Sequence, residues 1–83
     1  MELQEKFDAA VINAKKLTEK PSNDILLKLY ALYKQATDGD VSGDRPGGFD
    51  FKAIAKYNAW EAQKGNDKNS SMQQYIDLVE SLS

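Results

Sequence analysis

The chain has 83 residues, with 11 basic against 13 acidic side chains and neither histidine nor cysteine. That length supports one domain, expected to span residues 1–83, whose folding hides only about 60–65% of the unfolded surface, so two packed layers are the most it can build. The missing thiols and imidazoles exclude disulfides, thiolate metal sites and the commonest nucleophile and general base, and the net charge of −2 gives no global attraction to nucleic acid.

The start of the chain, from Met1 to Lys6, is acidic and polar where a secretory leader is basic and then apolar. No apolar run approaches the length needed to cross a bilayer, so a soluble cytoplasmic protein without stable membrane insertion is expected. Leu3, Phe7, Ala10, Val11, Ala14 and Leu17 recur at spacings of three and four, which predicts an amphipathic helix over residues 3–18. Pro21 disfavours helical geometry in the residue before it and stops this helix near Glu19 or Lys20. Ser22 and Asn23 are then natural N-caps, and Asp24 complements the dipole of the next helix.

From Ile25 to Thr37 the apolar positions are too dense for one stripe. Ile25, Leu29, Leu32 and Ala36 serve a core, which leaves Leu26, Leu27, Tyr30, Tyr33 and Lys34 for a second surface facing another helix or a ligand. Gly39 suits the left-handed end of this helix. Residues 38–50 hold four of the five glycines and Pro46, and form a long loop expected to be pinned to the core by Val41 and Phe49. Asp50 caps a third helix over 51–64, on which Lys52 and Lys56 share a face. Gly65 closes it, and Asn66 or Asp67 opens a fourth over 68–82, marked by Met72, Tyr75, Ile76, Val79 and Leu82. No segment alternates with period two, so the fold class is all-α with four helices.

Three candidate chemistries compete. Asp38, Asp40, Ser42 and Gly43 match the first half of a calcium loop, but position twelve is Phe49 where that loop needs a bidentate Glu, so the acidic residues read as turn formers. Lys52, Lys56 and Lys64 beside aromatics form a basic stripe, but interspersed acids and the overall charge weigh against nucleic acid. The remaining candidate is a capture site built from Tyr30, Tyr33 and Lys34 with Lys52 and Lys56, and Tyr75 as a wall: ammoniums and phenols match a phosphate monoester in charge and donor number. On spacing alone the same tyrosines read first as a packing face with Lys34 in solvent, since most helical aromatic stripes are packing faces.

Along essentially its whole length the chain resembles the acyl-CoA-binding proteins. The residues carrying the likeness are Phe7 and Ala10, Lys20-Pro21, Leu29-Tyr30, Tyr33-Lys34-Gln35-Ala36-Thr37, Gly39-Asp40, Arg45-Pro46-Gly47, Phe51-Lys52, Ala55-Lys56, Ala59-Trp60, Lys64-Gly65 and Tyr75-Ile76. Tyr57 departs from the tryptophan, Leu26 from the methionine and Gly48 from the larger side chain frequent in relatives. The resemblance implies an up-down-down-up four-helix bundle that holds long-chain acyl-CoA as ligand, with no cofactor and no catalysis. It implies that Tyr30, Lys34 and Lys56 surround the 3′-phosphate of CoA, and that Tyr33 lies against adenine near Ala10 and Lys15. Leu26, Leu27, Lys52, Lys56 and Tyr75 then border the acyl chain and pantetheine. The expected protein is a monomeric carrier in transient contact with acyl-CoA-using enzymes or membranes; the alternative is a module whose aromatic and basic surface receives a protein helix.

Overall fold

In a computed structural model, residues 2–83 are described; Met1, the first residue of the expected domain, lies outside them. They form α1 (Leu3–Lys15), α2 (Asn23–Asp38), α3 (Phe51–Glu61) and α4 (Lys68–Leu82). Three helices begin where a short polar side chain can satisfy an orphan amide. Ser22 Oγ accepts from Ile25 N at 3.4 Å, Asp50 Oδ1 from Ala53 N at 3.2 Å, and Asp67 Oδ1 from Ser70 N at 2.6 Å.

Two helices end earlier than expected. α1 stops at Lys15 rather than near residue 18, because Lys16 N turns inward to Asn13 O at 3.0 Å and the chain needs the next few residues to reverse before Pro21. α3 stops at Glu61 rather than 64. Its continuation tightens into i→i+3 turns, Gln63 N to Trp60 O at 2.9 Å and Lys64 N to Glu61 O at 3.0 Å, and breaks at Gly65, whose φ of +91° suits glycine.

α4 packs against α1 and α2, and α3 packs against α2. The spatial order α1–α4–α2–α3 gives a slab whose Cα atoms extend only 14 Å in its thinnest direction. Directions follow from the contacts. Tyr30 faces Lys56 and, one turn on, Lys34 faces Trp60, so α2 and α3 run parallel. Tyr33 meets Tyr75 while Gln35, further along α2, reaches back to Asn66, so α2 and α4 are antiparallel. Phe7 meets Tyr75, and the end of α1 shares a cleft with the end of α4, so these two are parallel. The topology is up-down-down-up.

The core joins Phe7 and Ala10 of α1, Leu29, Leu32 and Ala36 of α2, and Met72, Tyr75, Ile76 and Val79 of α4. These are the positions that the three- and four-residue spacing selects. α3 stands outside this cluster, and Trp60 is its one buried residue. Polar bonds hold it instead. Trp60 Nε1 donates to Gly39 O at 2.8 Å, and the fully buried Gln35 donates through Nε2 to Asp40 Oδ1 and to Asn66 O, both at 2.8 Å. The same Asp40 oxygen accepts from Gly65 N at 2.9 Å. Gly39 makes the turn possible with φ +84° and ψ −150°, which closes to glycine alone.

The expectation that Phe49 anchors the loop is wrong: its side chain is 91% exposed. Phe51, the first residue of α3, is 71% exposed. The loop needs no apolar anchor at Phe49 because Asp40 and Gly39 already fix its start, while Val41 and Pro46 are half-buried.

The Asp40 carboxyl is held below its ordinary range first by the Gly65 N–H and then by the Gln35 amide; Asp67 is held down by the Ser70 N–H. A carboxyl whose folded pKa is depressed adds stability that is fully present above the unfolded value, about 3.9, and is lost as pH falls through the folded value. The melting temperature should therefore be flat near neutrality and fall once the pH drops below about 4. Asp40→Asn should melt lower than the parent at neutral pH, and circular dichroism melts should show that gap narrowing in acid, where the parent carboxyl is protonated too.

Candidate functional site

The parallel register of α2 and α3 creates a seam whose side chains alternate between the helices. Because i and i+4 share a face, α2 sends Leu26, Tyr30 and Lys34 to this seam while α3 sends Lys52, Lys56 and Trp60. Lys56 Nζ lies 5.3 Å from the centre of the Tyr30 ring and Lys34 Nζ 4.9 Å from that of Trp60, each an ammonium over an aromatic face of the opposite helix. Lys34 also pairs with Asp38, one turn on, and chiefly that hydrogen bond raises its pKa against the opposing effect of burial.

Where the seam opens, it forms a cleft of about 370 Å³ lined by Lys20, Asn23, Leu26, Leu27, Tyr30, Lys52, Ala55 and Lys56. The lining carries three lysines and no carboxylate, next to a floor of two half-buried leucines and an alanine. Such a surface accepts an elongated amphiphile, with its anion among the ammoniums and phenol and its tail on the leucines. A larger cleft of about 620 Å³ lies between α1 and α4, but there Lys6 and Lys16 are opposed by Glu80, and it contains none of the aromatic–lysine pairs.

Of the side chains singled out from the sequence, the cleft gathers Leu26, Leu27, Tyr30, Lys52 and Lys56, with Lys34 one turn further along the seam. Tyr33 and Tyr75 belong to a different cluster. Tyr33 stacks on Phe7 at 5.9 Å and tilts against Tyr75 at 6.4 Å, while Tyr75 meets Phe7 edge-on at 5.1 Å. Tyr33 keeps 40% of its surface exposed, whereas Tyr75 is 5% exposed and burial pushes its hydroxyl pKa up. Tyr75 therefore backs Tyr33 rather than standing in the wall of the cleft beside Lys52 and Lys56. Ala10 is buried in the core on α1, and Lys15 is exposed in the last turn of that helix.

Lys20, Asn23 and Ala55 line the cleft without having been singled out by spacing. Ala55 carried a signal, a small side chain beside Lys56 where two helices must approach; Lys20 and Asn23 reach the cleft only through the turn at Pro21. Asp38 and Asp40 both have structural partners, in Lys34 and in the Gln35–Gly65 bonds. Among the described residues there is no group of three or more acidic side chains that could hold a metal ion, and no helix long and apolar enough to cross a membrane.

Residues 4–79 match the family model described as Acyl CoA binding protein. The acyl-CoA-binding protein homolog 1 of Caenorhabditis elegans is 51% identical over 76 residues, which are 92% of this chain and 88% of that protein. An enoyl-CoA delta isomerase 2 of Rattus norvegicus is 46% identical over 80 residues, covering 96% of this chain but 20% of the isomerase. The crystal structure of Oryza sativa acyl-CoA-binding protein 2 superposes with a TM-score of 0.93 at 44% identity, covering 98% of this chain and 90% of that one.

The seam depends on Trp60, which is both the buried residue of α3 and a donor to Gly39 O. Trp60→Phe keeps an aromatic face for Lys34 but removes the indole N–H and leaves that carbonyl unpaired. Urea unfolding should show a loss of about 1–3 kcal/mol, from the lost hydrogen bond and the smaller ring together. An unchanged unfolding midpoint would show that the indole bond does not hold α3 in place.

Proposed function

Because the chain belongs to the acyl-CoA-binding protein family, we propose that it binds long-chain fatty acyl-CoA thioesters non-covalently and acts as a monomeric cytoplasmic carrier and reservoir of them. The observation that carries this reading is the seam, where ammoniums from two helices stand in line with an apolar cleft free of carboxylates. Tyr30, Lys34 and Lys56 receive the 3′-phosphate of CoA. A phosphate monoester brings about −1.5 to −2 charges and three acceptor oxygens, which two ammoniums and a phenol O–H match. Tyr33, with its exposed face, takes the adenine, near Ala10 and Lys15, and Tyr75 behind it keeps the ring upright. Leu26, Leu27, Lys52 and Lys56 border the acyl chain and pantetheine; Tyr75, packed on Phe7 and Tyr33, stands apart from that cleft.

The protein does no chemistry on the thioester in this reading; it shields the bond and presents the ligand, and requires no cofactor. Burying a methylene is worth about 0.8 kcal/mol, so ten of them supply roughly 8 kcal/mol before ordering costs, while charge-assisted hydrogen bonds add about 1.5–3 kcal/mol each. The tail therefore supplies much of the affinity, and the phosphate contacts select CoA esters over free fatty acids.

Isothermal calorimetry with palmitoyl-CoA, with CoA and palmitate as controls, tests the proposal. The ester should bind far more tightly than either control. Lys34→Ala should weaken binding about tenfold or more, since about 1.4 kcal/mol is a factor of ten, with an unaltered circular dichroism spectrum. Asp38→Asn should have the opposite sign: the ligand phosphate no longer competes with a carboxylate for the Lys34 ammonium, and the ester binds more tightly. Equal affinity for palmitate and palmitoyl-CoA, or an unaffected Lys34→Ala, would remove the phosphate site.

A further inference from the structure

Asp38 breaks a local rule. It is the last residue of α2, at the negative end of the helix dipole, and no basic side chain stands in that last turn to offset it. A carboxylate so placed is destabilising unless cations reach it from elsewhere, and two do. Lys34, one turn back, pairs with it directly. Lys68, the first residue of α4, carries its side chain over Gly39, with Cε 3.6 Å from where a β-carbon on that glycine would stand. The Asp38 carboxyl is held below its ordinary range first by the Lys34 hydrogen bond and more weakly by the charge of Lys68. Asp38 thus has one ammonium in the α2–α3 seam and another outside it, on α4. The side chains of Lys34 and Asp38 keep 28% and 49% of their surface exposed, so their pair adds little to stability and is open to exchange.

We infer that Lys68 is a positioning residue for the phosphate site: when a phosphate monoester takes the Lys34 ammonium, the Asp38 carboxylate passes from Lys34 to Lys68. The exchange rests on the proposed acyl-CoA reading. In the ligand-free protein Lys34 is already engaged, by the Asp38 carboxylate and by the Trp60 ring 4.9 Å away. A phosphate entering beside Tyr30 and Lys56 must draw that ammonium off a carboxylate, and a carboxylate then left without a partner repels the phosphate. Lys68 supplies the second partner on the side away from the ligand and relieves the repulsion. The same exchange sharpens selection. A phosphate dianion outcompetes a carboxylate for Lys34, whereas the bare hydroxyl of a 3′-dephospho-CoA ester leaves Asp38 where it is.

Calorimetry of palmitoyl-CoA binding to the parent, Lys68→Met, Asp38→Asn and the double variant, repeated with 3′-dephospho-palmitoyl-CoA, tests the exchange. Lys68→Met should weaken palmitoyl-CoA binding about three- to fivefold, the range of a partly exposed ion pair, and Lys68→Arg should restore it. In the Asp38→Asn background the same Lys68→Met change should have little effect, because no carboxylate then needs a second partner. With the dephospho ester Lys68→Met should have no effect in either background, a pattern that a general loss of folding would not produce. Equal weakening in both Asp38 backgrounds would mean that Lys68 attracts the ligand directly, and overturns the inference. An unaffected Lys68→Met, in a parent that does bind palmitoyl-CoA, overturns it as well and leaves the carrier reading intact. Absence of binding by the parent removes that reading and the exchange together.

Discussion

Asp40 accepting at once from the Gln35 amide and the Gly65 N–H is the contact on which the rest depends. α1, α2 and α4 share a core of interlocking apolar side chains, but α3 contributes nothing to it and has Trp60 as its one fully buried residue. Hydrophobic area alone would hold α3 weakly. Asp40 and Gly39, adjacent at the end of α2, instead tie it at its C-terminal end, one through Gly65 and the other through the Trp60 indole. Gln35 makes this possible by being fully buried with both N–H groups matched, since a buried amide left without acceptors would cost more than the bonds return.

A parallel helix pair tied at one end has a defined register, and that register produces the site. Tyr30 and Lys34 on α2 face Lys56 and Trp60 on α3 in the reverse order of type, aromatic against ammonium and then ammonium against aromatic. The lysines are thereby held on ring faces in the ligand-free protein, at little cost in hydration, with their charge still available to an anion. Antiparallel packing of the same two helices would bring Tyr30 against Trp60 and Lys34 against Lys56, a like-charge contact. The direction of α3, set by the long loop of residues 39–50, is thus what turns two ordinary amphipathic faces into an anion receptor.

Much of this was legible in the residue order because local rules governed it. Ser22, Asp50 and Asp67 cap helices for the same reason in any fold, and Leu29, Leu32, Ala36, Met72, Ile76 and Val79 recur at the spacing of one buried face. The failures have a common origin in tertiary context. Nothing local distinguishes Phe49, left in solvent, from a loop anchor such as the half-buried Val41. The helix ends at Lys15 and Glu61 respond to where the chain must turn next, which periodicity does not encode. Tyr75 fits both a ligand wall and a core position by spacing, and its burial against Phe7 follows from α4 lying between α1 and α2. The family likeness identified Lys34 and Lys56 as partners, but it gave no account of Gln35 as the buried polar hub behind them.

The interface that lies outside the shared apolar core and the binding seam are the same surface, and this couples ligand and stability. A ligand that bridges Lys34 and Tyr30 on α2 with Lys56 and Lys52 on α3, and lays a tail between them on Leu26, Leu27 and Ala55, adds apolar contact outside the shared core. Whatever binds the docked arrangement and not the undocked one stabilises it by mass action. Occupancy should accordingly tighten α3 more than the α1–α4–α2 core, which is already closed by apolar packing. The apolar core closes without α3, so α3 is the element whose position responds most directly to a ligand in the seam. A carrier needs that property, because the same helix must grip a long flexible tail and then release it.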